Sequence, residues 1–347
     1  MLKKYKGLGK EVILLTPFYS QQRGNKITAS RLWAGYRGRG VKAYLVSLDD
    51  TEWIFKIRDI LKNTNNLAVL HGFNARYMMN ALERMPELKK LPLLLTLTGT
   101  DINEDRGYTF YPVLSWASYI VVFQAYFAHG LSKVYPDLKE KIRIIPQGVK
   151  IPLVEGKTRR DLGWEEKEIV FILPSGIRPV KNIMLAVKAL HKVYLSYPQI
   201  RLVILGPLID EDYGKEVLKA VKEYSWIRYL GEIEHEKIGD YLALSDVVIN
   251  CSLSEGQPQA ALEAMGLGKP AILTAVPGNL GVIEDKKEGL YVKNLDELAR
   301  AAAFFVENPE EKERMGKNAK ELVRAKYRPE WEIDQYIKLL QEIENCS

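Results

Sequence analysis

Cysteine and histidine are scarce in this chain, with two cysteines, Cys251 and Cys346, and four histidines in 347 residues. Two cysteines cannot build a disulfide framework or a zinc centre, and they suit a reducing compartment. Neither sign of charge dominates: 50 Lys and Arg stand against 44 Asp and Glu, a net +6. That balance admits an anionic ligand without calling for nucleic acid. Long hydrophobic runs are missing too. Val12–Leu15, Leu91–Leu95 and Ile120–Phe123 fall far short of the roughly 20 apolar residues of a membrane span or the core of a signal peptide. The expectation is a cytoplasmic protein with no integral membrane segment. Lys3, Lys4, Lys6 and Lys10 leave two readings open, a solvated tail or peripheral contact with anionic lipid. No Gly-x-Gly-x-x-Gly follows a strand, which argues against a nicotinamide-dependent dehydrogenase.

What is present is an ordinary globular composition, 47% hydrophobic and 27% charged, in a chain about twice the common single-domain length. Short continuous apolar runs alternate with helical patterns throughout. The predicted strands are Glu11–Thr16, Lys42–Ser47, Leu67–His71, Leu93–Leu97, Tyr119–Phe123 and Arg143–Ile145, then Ile169–Pro174, Ile200–Leu205, Ile227–Leu230, Asp246–Asn250, Ala271–Thr274 and Gly289–Val292. Runs apolar on both faces belong to strands buried between helical layers, and so to parallel sheets. The fold class is α/β, doubly wound. Pro146-Gln-Gly-Val-Lys-Ile-Pro152 and the charged stretch after it read as a linker. It separates residues 1–150 from 151–330, with a final helix over 331–347 that can cross back. Two Rossmann-like domains facing across a cleft are expected, and ligands in such sheets bind beyond the carboxyl ends of the strands.

The most informative segment runs from Ser252 to Pro270, after the strand ending at Asn250. Pro258 suits the first position of a helix and Gly268 with Pro270 its stop. Backbone N–H groups of Gln259, Ala260 and Ala261 then form an anion site at the helix N-terminus, with Gly256 and Gln257 in the loop before it. Glu255 precedes that helix and Glu263 lies inside it. Two carboxylates there can accept from sugar hydroxyls; alternatively Glu263 faces solvent and Glu255 only favours the helix dipole.

Ser254-Glu-Gly-x-x-x-x-x-Leu-Glu-Ala-Met265, with seven residues between the two glutamates, resembles the signature of retaining GT-B glycosyltransferases of family 4. Gly268-Lys-Pro-Ala-Ile-Leu273, Pro277-Gly-Asn-Leu-Gly281, Leu205-Gly-Pro207, Tyr229-Leu-Gly-Glu232 and Leu244-Ser-Asp-Val247 fit the same family in the same order. The resemblance implies that Glu263 holds the donor ribose and Glu255 the hydroxyls of the transferred sugar. It implies that Gly231 and Ile233 frame the base, and that Arg178 and Lys181 neutralise the diphosphate, as a leaving nucleoside diphosphate requires. The family usually places its arginine five positions before the lysine, where this chain has Gly176; Arg178 is the substitute. No cofactor or metal is expected. The partners implied are a nucleoside-diphosphate sugar of UDP or GDP type and an unknown acceptor. Asp210-Glu-Asp212 has the form of a metal motif of another glycosyltransferase fold, but its place after Gly206-Pro207 reads as a helix start.

In the first half, Arg23-Gly24-Asn25-Lys-Ile-Thr28 follows the first strand. A glycine-containing turn there could bring backbone N–H groups to a phosphate or acceptor. In Leu97-Thr-Gly-Thr-Asp101, many family members have histidine where this chain has Thr98. Asp101 is the polar candidate instead, or else a turn residue. His71, at the end of a strand before Gly72, is either an acceptor-side residue facing the cleft or a structural one. His191 reads as surface, and His235 has no evident partner. Together with Ile177-Arg-Pro-Val-Lys181, these segments resemble a smaller subgroup. It includes the glycosyltransferase 1 domain-containing protein 1 type and bacterial selenosugar synthases, so a selenium nucleophile is an alternative acceptor. A non-catalytic scaffold is the other alternative.

Overall fold

Strand β1, Val12–Thr16, shows why the apolar runs fold as they do: all five residues are buried. Val12 and Leu14 enter one core while Ile13 and Leu15 enter another, the period-two alternation of a strand covered on both faces. The computed structural model describes residues 9, 11–17, 24–64, 68–98 and 109–346, and their side chains except those of 24–26. It divides the chain into two units, residues 1–148 with 329–347, and residues 149–328.

The first unit holds β1, β2 (Ala43–Ser47), β3 (Val69–Phe73), β4 (Leu93–Thr96), β5 (Ala117–Val122) and β6 (Ile142–Ile144). They form a six-stranded sheet of order β2-β1-β3-β4-β5-β6, parallel at every pairing. Helices α1 (Gly24–Gly38), α2 (Trp53–Asn63), α3 (Ala75–Arg84), α4 (Tyr111–Trp116) and α5 (Ala125–Val134) connect the strands. The second unit has β7 (Ile169–Pro174), β8 (Ile200–Leu205), β9 (Ile227–Tyr229), β10 (Val247–Asn250), β11 (Ala271–Thr274) and β12 (Gly289–Val292). Its sheet order is β12-β11-β10-β7-β8-β9, again parallel throughout. Its helices are α6 (Ile183–Tyr194), α7 (Glu211–Glu223), α8 (Ile238–Leu244), α9 (Gln259–Gly266), α10 (Leu295–Glu307) and α11 (Pro309–Lys326). Phe171 and Leu173 of β7 face the core under α6 and α10, whereas Val170 and Ile172 face the core under α8 and α9. All twelve strands expected from the sequence are present, with ends shifted by a residue or two.

The last helix, α12 (Pro329–Asn345), belongs to the first unit. Ile333, Tyr336, Ile337 and Leu340 pack with Val12, Leu14, Leu32 and Tyr36. Gly35 makes room for this: a Cβ there would lie 2.4 Å from Ile333 Cδ1. The buried Glu332 carboxylate accepts two bonds from the Arg31 guanidinium, 2.9 and 3.0 Å long. That fork is the geometry that best compensates a buried charge.

Two expectations change, and one open alternative is narrowed. Gly24 and Asn25 lie in the first turn of helix α1 instead of standing in a glycine turn. Of its two readings, His71 has the surroundings of the structural one. It is fully buried, within hydrogen-bond distance of Tyr36 Oη at 3.1 Å and Thr96 Oγ1 at 2.9 Å, and Thr96 meets Tyr336 Oη at 3.0 Å. Burial pushes its pKa down to about 3, so the ring is neutral and works as a polar tie inside the core. His191 is half-buried, its ring 4.7 Å from that of Tyr224 and 6.3 Å from that of Trp226; aromatic neighbours, invisible in helical spacing, draw it off the surface. Asp101, Arg23 and the amino-terminal lysines at 3, 4, 6 and 10 lie outside the described residues.

Candidate functional site

Two loops of the second unit leave adjacent strands and are tied together. After β7 the chain passes Ser175 and Gly176, buries Ile177, and forms a single tight turn, Pro179–Lys181. Asn182 then takes a left-handed backbone, φ 47°, before α6 begins. After β10 come the buried Cys251 and Ser252, and the Leu253 N–H donates to the Val180 carbonyl at 2.8 Å. This bond fixes Lys181 against the loop that carries Glu255.

The Lys181 Nζ lies 2.5 Å from Glu255 Oε1, in a pair whose side chains are 17% and 11% exposed. Asn250 Nδ2 donates to the same oxygen at 3.0 Å and Ser252 Oγ at 2.6 Å. Asn250 is itself held: its Oδ1 accepts from Ser252 N and from Asn279 Nδ2, each at 3.1 Å. Asn279 is fully buried, and its carbonyl accepts from Tyr291 Oη at 2.7 Å. The carboxylate is therefore oriented by a layered polar network, rigid in proportion to its burial. Gly278, φ +87°, is required there, since a Cβ would stand 2.1 Å from the Glu255 carbonyl oxygen.

Helix α9 begins one residue later than expected, at Gln259, with Pro258 just outside. The Gln259 N–H turns back onto the Gln257 carbonyl at 2.9 Å. The N–H groups available to an anion are accordingly those of Ala260 and Ala261, one step further in. Gln257 is buried and Gly256 half-buried. Glu263, on α9, is 13% exposed at its side chain and meets His235 Nε2 at 3.1 Å. The hydrogen bond to Glu263 raises the His235 pKa against the pull of partial burial. Sequence reasoning missed this partner because it comes from the segment before α8, 28 residues away, with no periodic link between the two.

Gly231 has φ +72°, and its carbonyl accepts from Gly206 N at 2.8 Å; Ile233 is half-buried against the core behind it. Arg178 is exposed and makes no ion pair with the described residues. At Gly176 a Cβ would lie 2.5 Å from Ile209 Cδ1, so this isoleucine fills the space that a longer side chain would need. Asp210 is a helix cap, its Oδ1 accepting from Tyr213 N at 2.9 Å. Thus Glu255, Lys181, Arg178, Glu263, Gly231, Ile233, Gly256, Gln257, Gln259 and Ala260 all lie in the second unit, whereas His71, Gly24 and Asn25 lie in the first.

Residues 154–322, nearly the whole of this unit, match the family Glycosyl transferases group 1. The chain carries a group 1 glycosyltransferase domain. It is 28% identical over 267 residues to "Glycosyltransferase 1 domain-containing protein 1" of Xenopus tropicalis, covering 74% of this chain and 77% of that protein. It is 30% identical over 158 residues to "Alpha-monoglucosyldiacylglycerol synthase" of Acholeplasma laidlawii, and there covers 46% of this chain and 40% of the relative. Among solved structures, Anabaena HepE in complex with UDP and glucose superposes with a TM-score of 0.79 over 96% of this chain and 100% of that one, at 16% identity. The fold of this glycosyltransferase is GT-B, and no helix among its described residues is long and apolar enough to cross a membrane.

Proposed function

We propose that this cytoplasmic glycosyltransferase moves a sugar from a nucleoside diphosphate to its acceptor with retention and without a metal, by front-face transfer. The observation that carries the reading is the Lys181–Glu255 pair, held by Asn250 and Ser252 beyond the carboxyl ends of β7 and β10. In this reading the donor diphosphate competes for Lys181, joined by Arg178 and the N–H groups of Ala260 and Ala261. Fixed cations and a helix N-terminus meet the charge that develops as the diphosphate leaves. Glu255, with three donors on Oε1, keeps Oε2 for hydroxyls of the transferred sugar. Glu263 takes the ribose, and Gly231 with Ile233 flanks the base. No carboxylate is assigned as a covalent nucleophile; the departing phosphate takes the acceptor proton.

A thermal-shift panel of UDP, GDP and ADP with their sugar conjugates tests the assignment, with UDP first because HepE carries it. A nucleotide at 100 times its Kd should stabilise the folded state by about 2.7 kcal/mol. The shift should disappear in Glu263→Ala. Turnover of the matching sugar nucleotide should survive EDTA, and NMR of the product should show the donor's anomeric configuration. A panel with no shift for any nucleotide would return the chain to the scaffold reading.

A further inference from the structure

A second cluster of cations stands at the other end of the same strand. Asn250 closes β10 on the side of Glu255, whereas Ser245 and Asp246 precede it and Pro270 precedes the neighbouring β11. These three residues border a cavity of about 440 Å³ that four lysines also line, Lys269 after α9 and Lys312, Lys317 and Lys320 on α11. The two helices approach so closely because Gly316 faces Gly268; a Cβ on Gly316 would lie 2.2 Å from the Gly268 carbonyl oxygen.

The carboxylates of this cavity are already engaged. Asp246 Oδ2 accepts from Arg159 Nη2 and from the Val170 N–H, both at 2.8 Å, and its Oδ1 meets Lys312 Nζ at 2.8 Å. Glu313 pairs with Lys317 at 2.7 Å. Lys269 and Lys320 are left without an ion pair among the described residues, and both are half-buried. They are not needed to cap α9 either. The carbonyls of Glu263, Ala264 and Met265 already accept from the N–H groups of Leu267, Gly268 and Lys269. Burial lowers the Lys269 pKa, and Arg159, Lys312 and Lys320 add to the push while Asp246 opposes it. Like charges held together out of water are unfavourable unless an anion lies between them.

We infer that Lys269 and Lys320 form, with Lys312 beside them, a binding site for a phosphate monoester, separate from the donor site. A dianion would neutralise the two unpaired ammonium groups, and the cavity volume lies in the range of small-molecule sites. The phosphate could be borne by a free metabolite or by a lipid headgroup. Both present the same dianionic group to the lysines.

The test is competitive amine labelling of the intact protein, read lysine by lysine by peptide mass spectrometry. Inorganic phosphate at about nine times its Kd should slow labelling of Lys269 and Lys320 roughly tenfold, because only the unbound fraction reacts. Exposed Lys56 should be unaffected. Protection by inorganic phosphate or by a soluble sugar phosphate identifies a free ligand. Protection only by vesicles containing phosphatidic acid, and not by neutral vesicles, identifies a headgroup. In Lys320→Gln the protection of Lys269 should be lost while the thermal shift with the donor nucleotide is kept. Equal labelling with and without every phosphate probe, or protection matched by chloride at the same ionic strength, overturns the proposal.

Discussion

Glu263 and His235 show how a single contact alters what a residue can do. The pair ties an exposed imidazole to the carboxylate assigned to the ribose. Since the pKa of His235 is raised by Glu263, its titration followed by NMR should sit above the ordinary value of about 6.5. Glu263→Gln should bring it back down, and saturating donor nucleotide should lower it too, because ribose hydroxyls then occupy Glu263. A His235 titration indifferent to nucleotide would separate Glu263 from the donor. At Lys181 the expected effect is on rate: Lys181→Ala should cut kcat by about 10²–10³-fold, the range for removing one preorganised group that stabilises developing negative charge. His71 makes a prediction about pH. Its folded-state pKa is depressed to about 3 from 6.5, so the unfolded chain binds the proton first. Its contribution to stability is complete above about pH 6.5 and declines as pH falls toward 3, by roughly 1.4 kcal/mol per unit. Between pH 6.5 and 5 the loss is about 2 kcal/mol. Thermal melts at both pH values should show that extra drop in the parent protein. In His71→Asn, which keeps an amide near the Nδ1 position, melting should be lower at pH 7 but less dependent on pH.

At the level of elements, the returning helix α12 is the most consequential. It buries an apolar face against β1 and α1 and brings with it Glu332, which has no solvent exposure. Arg31→Ala would leave that carboxylate buried without its partner, at a cost of about 3–5 kcal/mol. Unfolding of this variant in urea should show a midpoint lowered to match. Arg31→Lys should recover only part of the loss, because an ammonium cannot reproduce the two-pronged bond. Unchanged stability in Arg31→Ala would mean that Glu332 is protonated in the folded state, the direction in which burial already pushes its pKa. Helix α9 carries a different burden. Its first turn supplies N–H groups, its middle supplies Glu263, and its end is closed by Gly268 at φ +89°, which presents Lys269 to α11. One eight-residue helix thus carries the proposed donor contacts at one end and leads into the proposed phosphate site at the other.

Across the whole molecule, the positions of the strands along the chain and their division into two parallel sheets were legible in the sequence, whereas the order of strands within each sheet was not. Each buried strand is a short apolar run bounded by Gly, Pro or charged residues, and such patterns are local. The loops of the proposed donor site were legible for the same reason: Pro258, Gly268 and the spacing of Glu255 and Glu263 lie within one stretch of chain. Identification of partners was not local. Lys181 and Glu255 are 74 residues apart, and nothing in the composition around either required them to share a proton-bearing contact. His71 has the sequence context of a cleft residue, at the end of a strand before a glycine. It becomes a core residue because Tyr36, Thr96 and Tyr336, drawn from three other elements, close over it. The cavity of four lysines arises in the same way, from one residue after α9 and three on α11 that no motif connects. The sequence by itself determined where the chain is apolar, where it turns and therefore what it folds into, since burial and backbone preference act over a few residues at a time. Only the tertiary structure decided which charges are paired, which are left without a partner and which polar groups lose their water, because desolvation and Coulomb attraction depend on distance in space.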